Sequence, residues 1–169
     1  MPVCLEMPEI VLDGMLGKLS RWLRLLGVKT VYLKDVDDAE ITRFLRLHSD
    51  SFFLTRDRTL HATLEKTGLK SLLVPEGREE DVLAWVLERL GVEPVFEPEK
   101  ALCSICGSPL RKVGRDEVLG KIPERVLNAY SEFYVCTGCG QVYWLGTHVI
   151  EIKRRLEKVR CIIYGKAVC

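Results

Sequence analysis

EIVLDGMLGKLSRWLRLLGVKTVYL, residues 9–33, decides the fold. EIVLD (9–13) is an apolar run of strand length. In residues 15–26 the leucines Leu16, Leu19, Leu23 and Leu26 fall on one face at helical periodicity. Gly27 supplies the C-cap and TVYL (30–33) opens a second strand. Strand, helix and strand in this order make a βα unit. The same alternation continues outward. Asp37 and Glu40 form a capping box for a helix to about His48, and SFFLT (51–55) is the third strand. A shorter helix over 59–67 stops at Gly68, and KSLLV (70–74), ended by Pro75 and Gly77, is the fourth strand. A helix over 78–90 is closed by Gly91. This pattern predicts an α/β fold with a mainly parallel sheet.

VEPVFEPEK (92–100) has two prolines and no helical period, so it reads as a linker. The expected organisation is an α/β domain over 7–92, a linker over 93–100, a small metal-stapled module over 101–155 and a tail over 156–169. Val149 to Tyr164 alternates apolar and charged residues and reads as a strand followed by a helix. A chain of 169 residues accommodates one such domain plus a small module, and not two independent full cores.

Apolar residues make up 47% and charged residues 29%, a globular and not a disordered composition. No uninterrupted apolar stretch reaches the roughly 18 residues of a spanning helix. No basic-then-apolar leader is visible, so the expected location is the cytoplasm, away from membranes. The net charge of +1 conceals an asymmetry. Residues 1–100 hold 14 Lys/Arg against 18 Asp/Glu, and residues 101–169 hold 11 against 6. A basic half suits a polyanion and an acidic half suits cations, although solvated surface charge gives the same count.

Four of the seven cysteines form two knuckles, Cys103-Ser-Ile-Cys106-Gly and Cys136-Thr-Gly-Cys139-Gly. Paired C-x-x-C turns with trailing glycines in a chain of intracellular character indicate a metal before they indicate disulfides. Four sulfur ligands suit one tetrahedral zinc per chain. A full Cys4 shell leaves no open position for water, so the ion is structural. Cys4, Cys161 and Cys169 lack this spacing and read as ordinary apolar or terminal residues.

The carboxyl ends of parallel strands converge on one edge, where ligands bind. Asp13 ends the first strand, Asp35 to Asp38 follow the second, and Asp57 follows the third. Each has a bland role as a cap or turn residue. Together they predict an acidic edge that Mg2+ or Mn2+ would neutralise, with an activated water for phosphodiester hydrolysis. Lys18, Arg21 and Arg24 lie on the polar side of the first helix, and Arg56 and Arg58 flank Asp57. These are candidate phosphate contacts.

LDGMLGKLSRWLRLLG (12–27), DAEI (38–41), FLTRDRTL (53–60), the two knuckles and YWLGTH (143–148) together closely resemble the Mut7-C domain over about residues 9–152. That family is a branch of PIN-like ribonucleases carrying a C-terminal zinc ribbon. The resemblance implies a PIN-like fold and metal-dependent cleavage of RNA, with Asp13, Asp38 and Asp57 as the clustered acids and Asp37 as the alternative to Asp38. A fourth acid has no clear position: Thr59 stands two residues after Asp57, and the next acids are Glu76, Glu79, Glu80 and Asp81. YWLGTH is expected in the last ribbon strand, with Tyr143 and Trp144 as stacking surfaces and His148 as a polar contact for single-stranded or structured RNA. Trp144 packed in the ribbon core is the equal alternative.

Three function classes follow. The first is a metal-dependent endoribonuclease. The second is a non-catalytic RNA-binding protein that keeps the fold with an incomplete metal site. The third is a protein-interaction adaptor with incidental charge clusters.

Overall fold

The computed structural model describes residues 8–165. Cys4, Cys169, and residue 7 at the expected start of the first domain lie outside the described residues. The chain forms two compact units. One comprises residues up to Ser20 together with Lys29–Glu76, and the other comprises Arg21–Val28 and the residues from Gly77 onward.

In the first unit, strands β1 (Ile10–Asp13), β2 (Thr30–Leu33), β3 (Phe52–Thr55) and β4 (Ser71–Leu73) form a wholly parallel sheet in the order β2-β1-β3-β4. β1 is buried along its whole length and β3 nearly so, whereas β2 and β4 are half-buried. Strands covered on both faces read as continuous apolar runs, which is why EIVLD and SFFLT are so easily recognised. Helices α2 (Asp38–Leu47) and α3 (Arg58–Lys66) set Ile41, Leu45, Leu60 and Leu64 against Val11 and Phe53. Phe53 is fully buried. Its truncation to alanine belongs to a class that removes about 3–5 kcal/mol.

The expected helix over 15–26 begins differently. Gly14–Leu16 is a 3-10 turn, and α1 runs from Gly17 to Leu25. The reason is local. Asp13 accepts the Met15 amide and tightens the first turn behind the strand. Tyr32 then donates its hydroxyl to the Gly14 carbonyl at 2.7 Å.

In the second unit, α4 (Glu79–Leu90) packs against α7 (His148–Tyr164). Glu79, Glu80 and Asp81 occupy the first turn of α4, where the helix dipole favours carboxylates. Gly91, at φ +65°, closes the helix in the left-handed cap that a side chain resists. Glu79 Oε1 accepts both Trp22 Nε1 at 2.7 Å and Arg155 Nη1 at 3.1 Å.

The strand-then-helix expectation for Val149–Tyr164 is corrected. The stretch lies wholly within one helix, His148–Tyr164, of 17 residues and about 25 Å, and the expected boundary at 155 falls inside it. Leu156 and Val159 are its buried positions. Spaced by three, they supply the stripe that binds it to α4, and the alternation of Ile150 to Lys153 is incidental.

β5 (Leu110–Val113), β6 (Phe133–Cys136) and β7 (Val142–Trp144) form an antiparallel sheet in chain order. Two short helices, α5 (Arg115–Val118) and α6 (Glu124–Ala129), lie between β5 and β6 in the chain. Val113, Val118, Leu127, Phe133 and Val142 make this small core. YWLGTH is therefore split: Tyr143 and Trp144 finish β7, and His148 begins α7.

Candidate catalytic edge and metal centre

Asp13 and Thr55 close the two central strands at the carboxyl edge of the parallel sheet. In the order β2-β1-β3-β4 the chain leaves β1 toward one side and returns to the other. The β1/β3 boundary is thus the switch point at which such sheets bind ligands. Asp13 is only 7% exposed. Its Oδ1 accepts the Met15 amide at 2.8 Å, and its Oδ2 accepts the Thr55 hydroxyl and the Arg56 amide at 3.3 Å. An ionised carboxylate has about four lone-pair sites, so three donors leave one open.

Asp57 stands two residues beyond the strand. Its amide donates to Thr55 Oγ1 at 2.9 Å, and its Oδ1 caps α3 by accepting the amides of Thr59 (2.8 Å) and Leu60 (2.9 Å). The residue is exposed, and its other oxygen takes no bond among the described residues. Asp37 accepts the Glu40 amide at 2.9 Å and caps α2, and Asp38 is the exposed first residue of that helix. Thus Asp13 and Asp57 are linked through Thr55, whereas Asp38 is not brought to them by any hydrogen bond. Among the described residues, the four cysteines are the one group of three or more Cys, His, Asp or Glu whose donor atoms all lie within 4.8 Å.

Two acids considered for a fourth position are engaged elsewhere. Glu79 holds Trp22 and Arg155, and Asp81 accepts Arg78 at 2.7 and 3.2 Å, which keeps its carboxyl below the usual range.

Of the basic candidates, Lys18, Arg21 and Arg58 are exposed and Arg56 is half-buried, with its Nε buried and without a partner among the described residues. Arg24 corrects the expected basic helix face: it is 6% exposed. Its Nη1 donates to the carbonyls of Ser104 (3.3 Å) and Ile105 (3.0 Å), inside the first cysteine knuckle. A side chain on Gly107, at φ +79°, would come within 3.0 Å of Arg24 Nε. Burial pushes the guanidinium down, opposed by the thiols of Cys103 and Cys106.

The sulfurs of Cys103 and Cys139 are 3.6 Å apart, and those of Cys106 and Cys136 are 3.3 Å apart. A tetrahedral zinc with bonds of about 2.3 Å implies S···S edges of roughly 3.8 Å. The set therefore fits a structural metal such as zinc after a small expansion. Its surroundings are donor-rich. The Gly138 and Cys139 amides each reach Cys136 Sγ at 3.4 Å, and the Tyr143 hydroxyl lies 3.1 Å from Cys103 Sγ and 3.2 Å from Ser104 Oγ. The Ser108 hydroxyl, 3.4 Å away, holds the Cys106 thiol down to about 6, favouring the thiolate that a metal requires.

Tyr143 is therefore committed to the knuckle, and burial pushes its hydroxyl up to about 12. Trp144 packs against the small core and stands edge-on to His148, with centroids 6.5 Å apart. His148 is exposed. Thr55 and Arg24 were the residues whose roles the sequence hid. The T-R-D triplet was a signal for the first, and nothing local marked the second.

The family model described as the Mut7-C RNAse domain matches residues 8–156. Searches of curated proteins and of solved structures returned no match. Among the described residues, no helix is long and apolar enough to cross a membrane.

Proposed function

Because the chain belongs to the Mut7-C RNAse domain family, we propose that it is a divalent-metal-dependent endoribonuclease with a PIN-like fold, acting in the cytoplasm. The observation that carries this reading is the Asp13–Thr55–Asp57 hydrogen-bonded string at the switch point of the parallel sheet. Asp13 retains one open lone-pair site and Asp57 a whole oxygen, so the pair fits a hard cation that keeps several waters. Asp38, with Asp37 as the alternative, is the third acid of the site. A bound Mg2+ or Mn2+ supplies an activated water and charge stabilisation of the leaving oxygen. Thr55 orients Asp13. Lys18, Arg21 and Arg56, with Trp144 and His148, are the RNA contacts; buried Arg24 and knuckle-bound Tyr143 are withdrawn from that set.

In this reading Cys103, Cys106, Cys136 and Cys139 hold one structural zinc in a ribbon module. Arg24 is fixed beneath the first knuckle, neutralising part of the tetrathiolate charge.

The test is cleavage of labelled single-stranded and structured RNAs in Mn2+ by the wild type, Asp13→Asn and Asp57→Asn. Loss of cleavage in both variants, with folding retained, is the expected result; cleavage surviving both sinks the site. A second reading, RNA binding without cleavage, is favoured by the three aspartates not closing into a cluster. Salt-dependent binding with no turnover in any divalent ion selects it.

A further inference from the structure

The second unit contains a cleft of about 370 Å³ between the Lys121–Pro123 turn and the chain from Cys139 to Trp144. We propose that this cleft takes one unpaired nucleobase of a single-stranded RNA. The proposal rests on the ribonuclease reading and adds a base-binding subsite to it.

A nucleobase presents two π faces, a hydrogen-bonding edge and a flanking phosphate. The cleft offers a counterpart to each. Trp144 is a half-buried wall whose ring is held by the small core on one side and by His148 edge-on. Gly146 sets the ring's position further: a Cβ there would come 2.9 Å from the indole Nε1. A fixed aromatic face is what base stacking requires, because little rotamer freedom is lost on binding. Ile122, Pro123 and Val142 supply apolar lining. Gln141 is exposed, and its Nε2 donates to the Val142 carbonyl at 3.1 Å, which leaves its side-chain oxygen and a second N–H for a base edge. Lys121, exposed at the rim, meets the adjacent phosphate.

The volume lies within the range of small-ligand sites and admits a splayed base. Stacking on Trp144 with an edge on Gln141 requires a base freed from its pair, so the occupant is single-stranded RNA and not a duplex. Cys139 forms part of the wall, which sets the cleft beside the cysteine centre.

The experiment measures fluorescence anisotropy of a labelled oligouridylate with the zinc-loaded full chain, without added Mg2+ or Mn2+. A matching oligomer carrying abasic sites and a duplex serve as comparison ligands. Trp144→Leu is expected to weaken oligouridylate binding about 10- to 100-fold. Lys121→Gln lowers the log–log salt slope by about 0.7. Gln141→Ala weakens binding of oligouridylate and not of the abasic oligomer, which binds the wild type poorly. Trp144 contributes to a core, so the exposed Lys121 and Gln141 variants keep the test decisive if Trp144→Leu unfolds. Wild-type binding undisturbed by Lys121→Gln and Gln141→Ala, or equal affinity for the abasic oligomer or the duplex, overturns the cleft and leaves the ribonuclease reading standing. No RNA binding by the wild type together with no cleavage in Mn2+ overturns both.

Discussion

Asp13 and Asp57 are joined by a single hydroxyl: Thr55 Oγ1 donates to the Asp13 carboxylate and accepts the Asp57 amide at 2.9 Å. Thr55 is fully buried, so this hydroxyl has no water to replace either partner. One residue thereby fixes the side chain of one candidate ligand and the backbone of the other.

Thr55→Val removes the donor while keeping the shape, and leaves a nearly buried carboxylate with one bond fewer. The expected loss is about 1–3 kcal/mol. A lower urea midpoint at unchanged slope reports it. Cleavage in Mn2+ should fall by more than the folded fraction does, and a stability equal to the wild type would show that the hydroxyl does not hold the edge together.

The two helix-capping aspartates separate stability from chemistry. Asp37→Ala deletes the α2 cap and should destabilise by about 1 kcal/mol in thermal or urea unfolding. Asp57→Asn retains a side chain that caps well, so stability should stay within about 0.5 kcal/mol. Cleavage should nevertheless be lost, because a neutral amide lacks the charge with which a carboxylate holds Mg2+ or Mn2+. Full cleavage by the Asp57→Asn variant would assign Asp57 to capping alone.

Arg24→Met strips the carbonyls of Ser104 and Ile105 of their buried donor. Residues that orient metal ligands from behind commonly change affinity 10- to 100-fold, and a drop in that range is expected in a zinc competition titration. Arg24→Lys should rescue in part, since a single nitrogen, Nη1, serves both carbonyls and an ammonium carries three donors. Unchanged zinc affinity in both variants would make Arg24 a packing residue only.

Chelation of the cysteine metal should expose β5, β6 and β7 to amide exchange while β1 and β3 keep their protection, because a core of five buried apolar residues is too small to hold alone. Hydrogen exchange followed by mass spectrometry resolves the two sheets. Simultaneous loss of protection in β1 and β3 would show that the metal holds the first unit as well.

The parallel sheet was legible because its central strands are buried on both faces, which writes them as uninterrupted apolar runs. Asp37 was legible as a cap because its partner amide lies three residues away. Arg24 was not. On a helical wheel an arginine opposite a leucine stripe reads as solvent-facing, and the carbonyls that bury it are about 80 residues further along the chain. α7 was obscured for a related reason: its first turn mixes Ile and charge at every second position, and its pairing with α4 is not encoded nearby. The acidic edge was half legible. Strand ends predict where carboxylates gather, but the hydroxyl that links two of them closes an apolar run and is marked only by the T-R-D triplet that it opens.

Helix α1 belongs to both units, with Gly17–Ser20 counted in one and Arg21–Leu25 in the other. The cysteine-bearing half is therefore not a portable cassette. A fragment cut at the proline-rich stretch, however natural that boundary looks in the sequence, arrives without Arg24 under its knuckle and without both Trp22 and its acceptor Glu79. Recombination or gene fusion that shuffles this half must carry a piece of the N-terminal third with it.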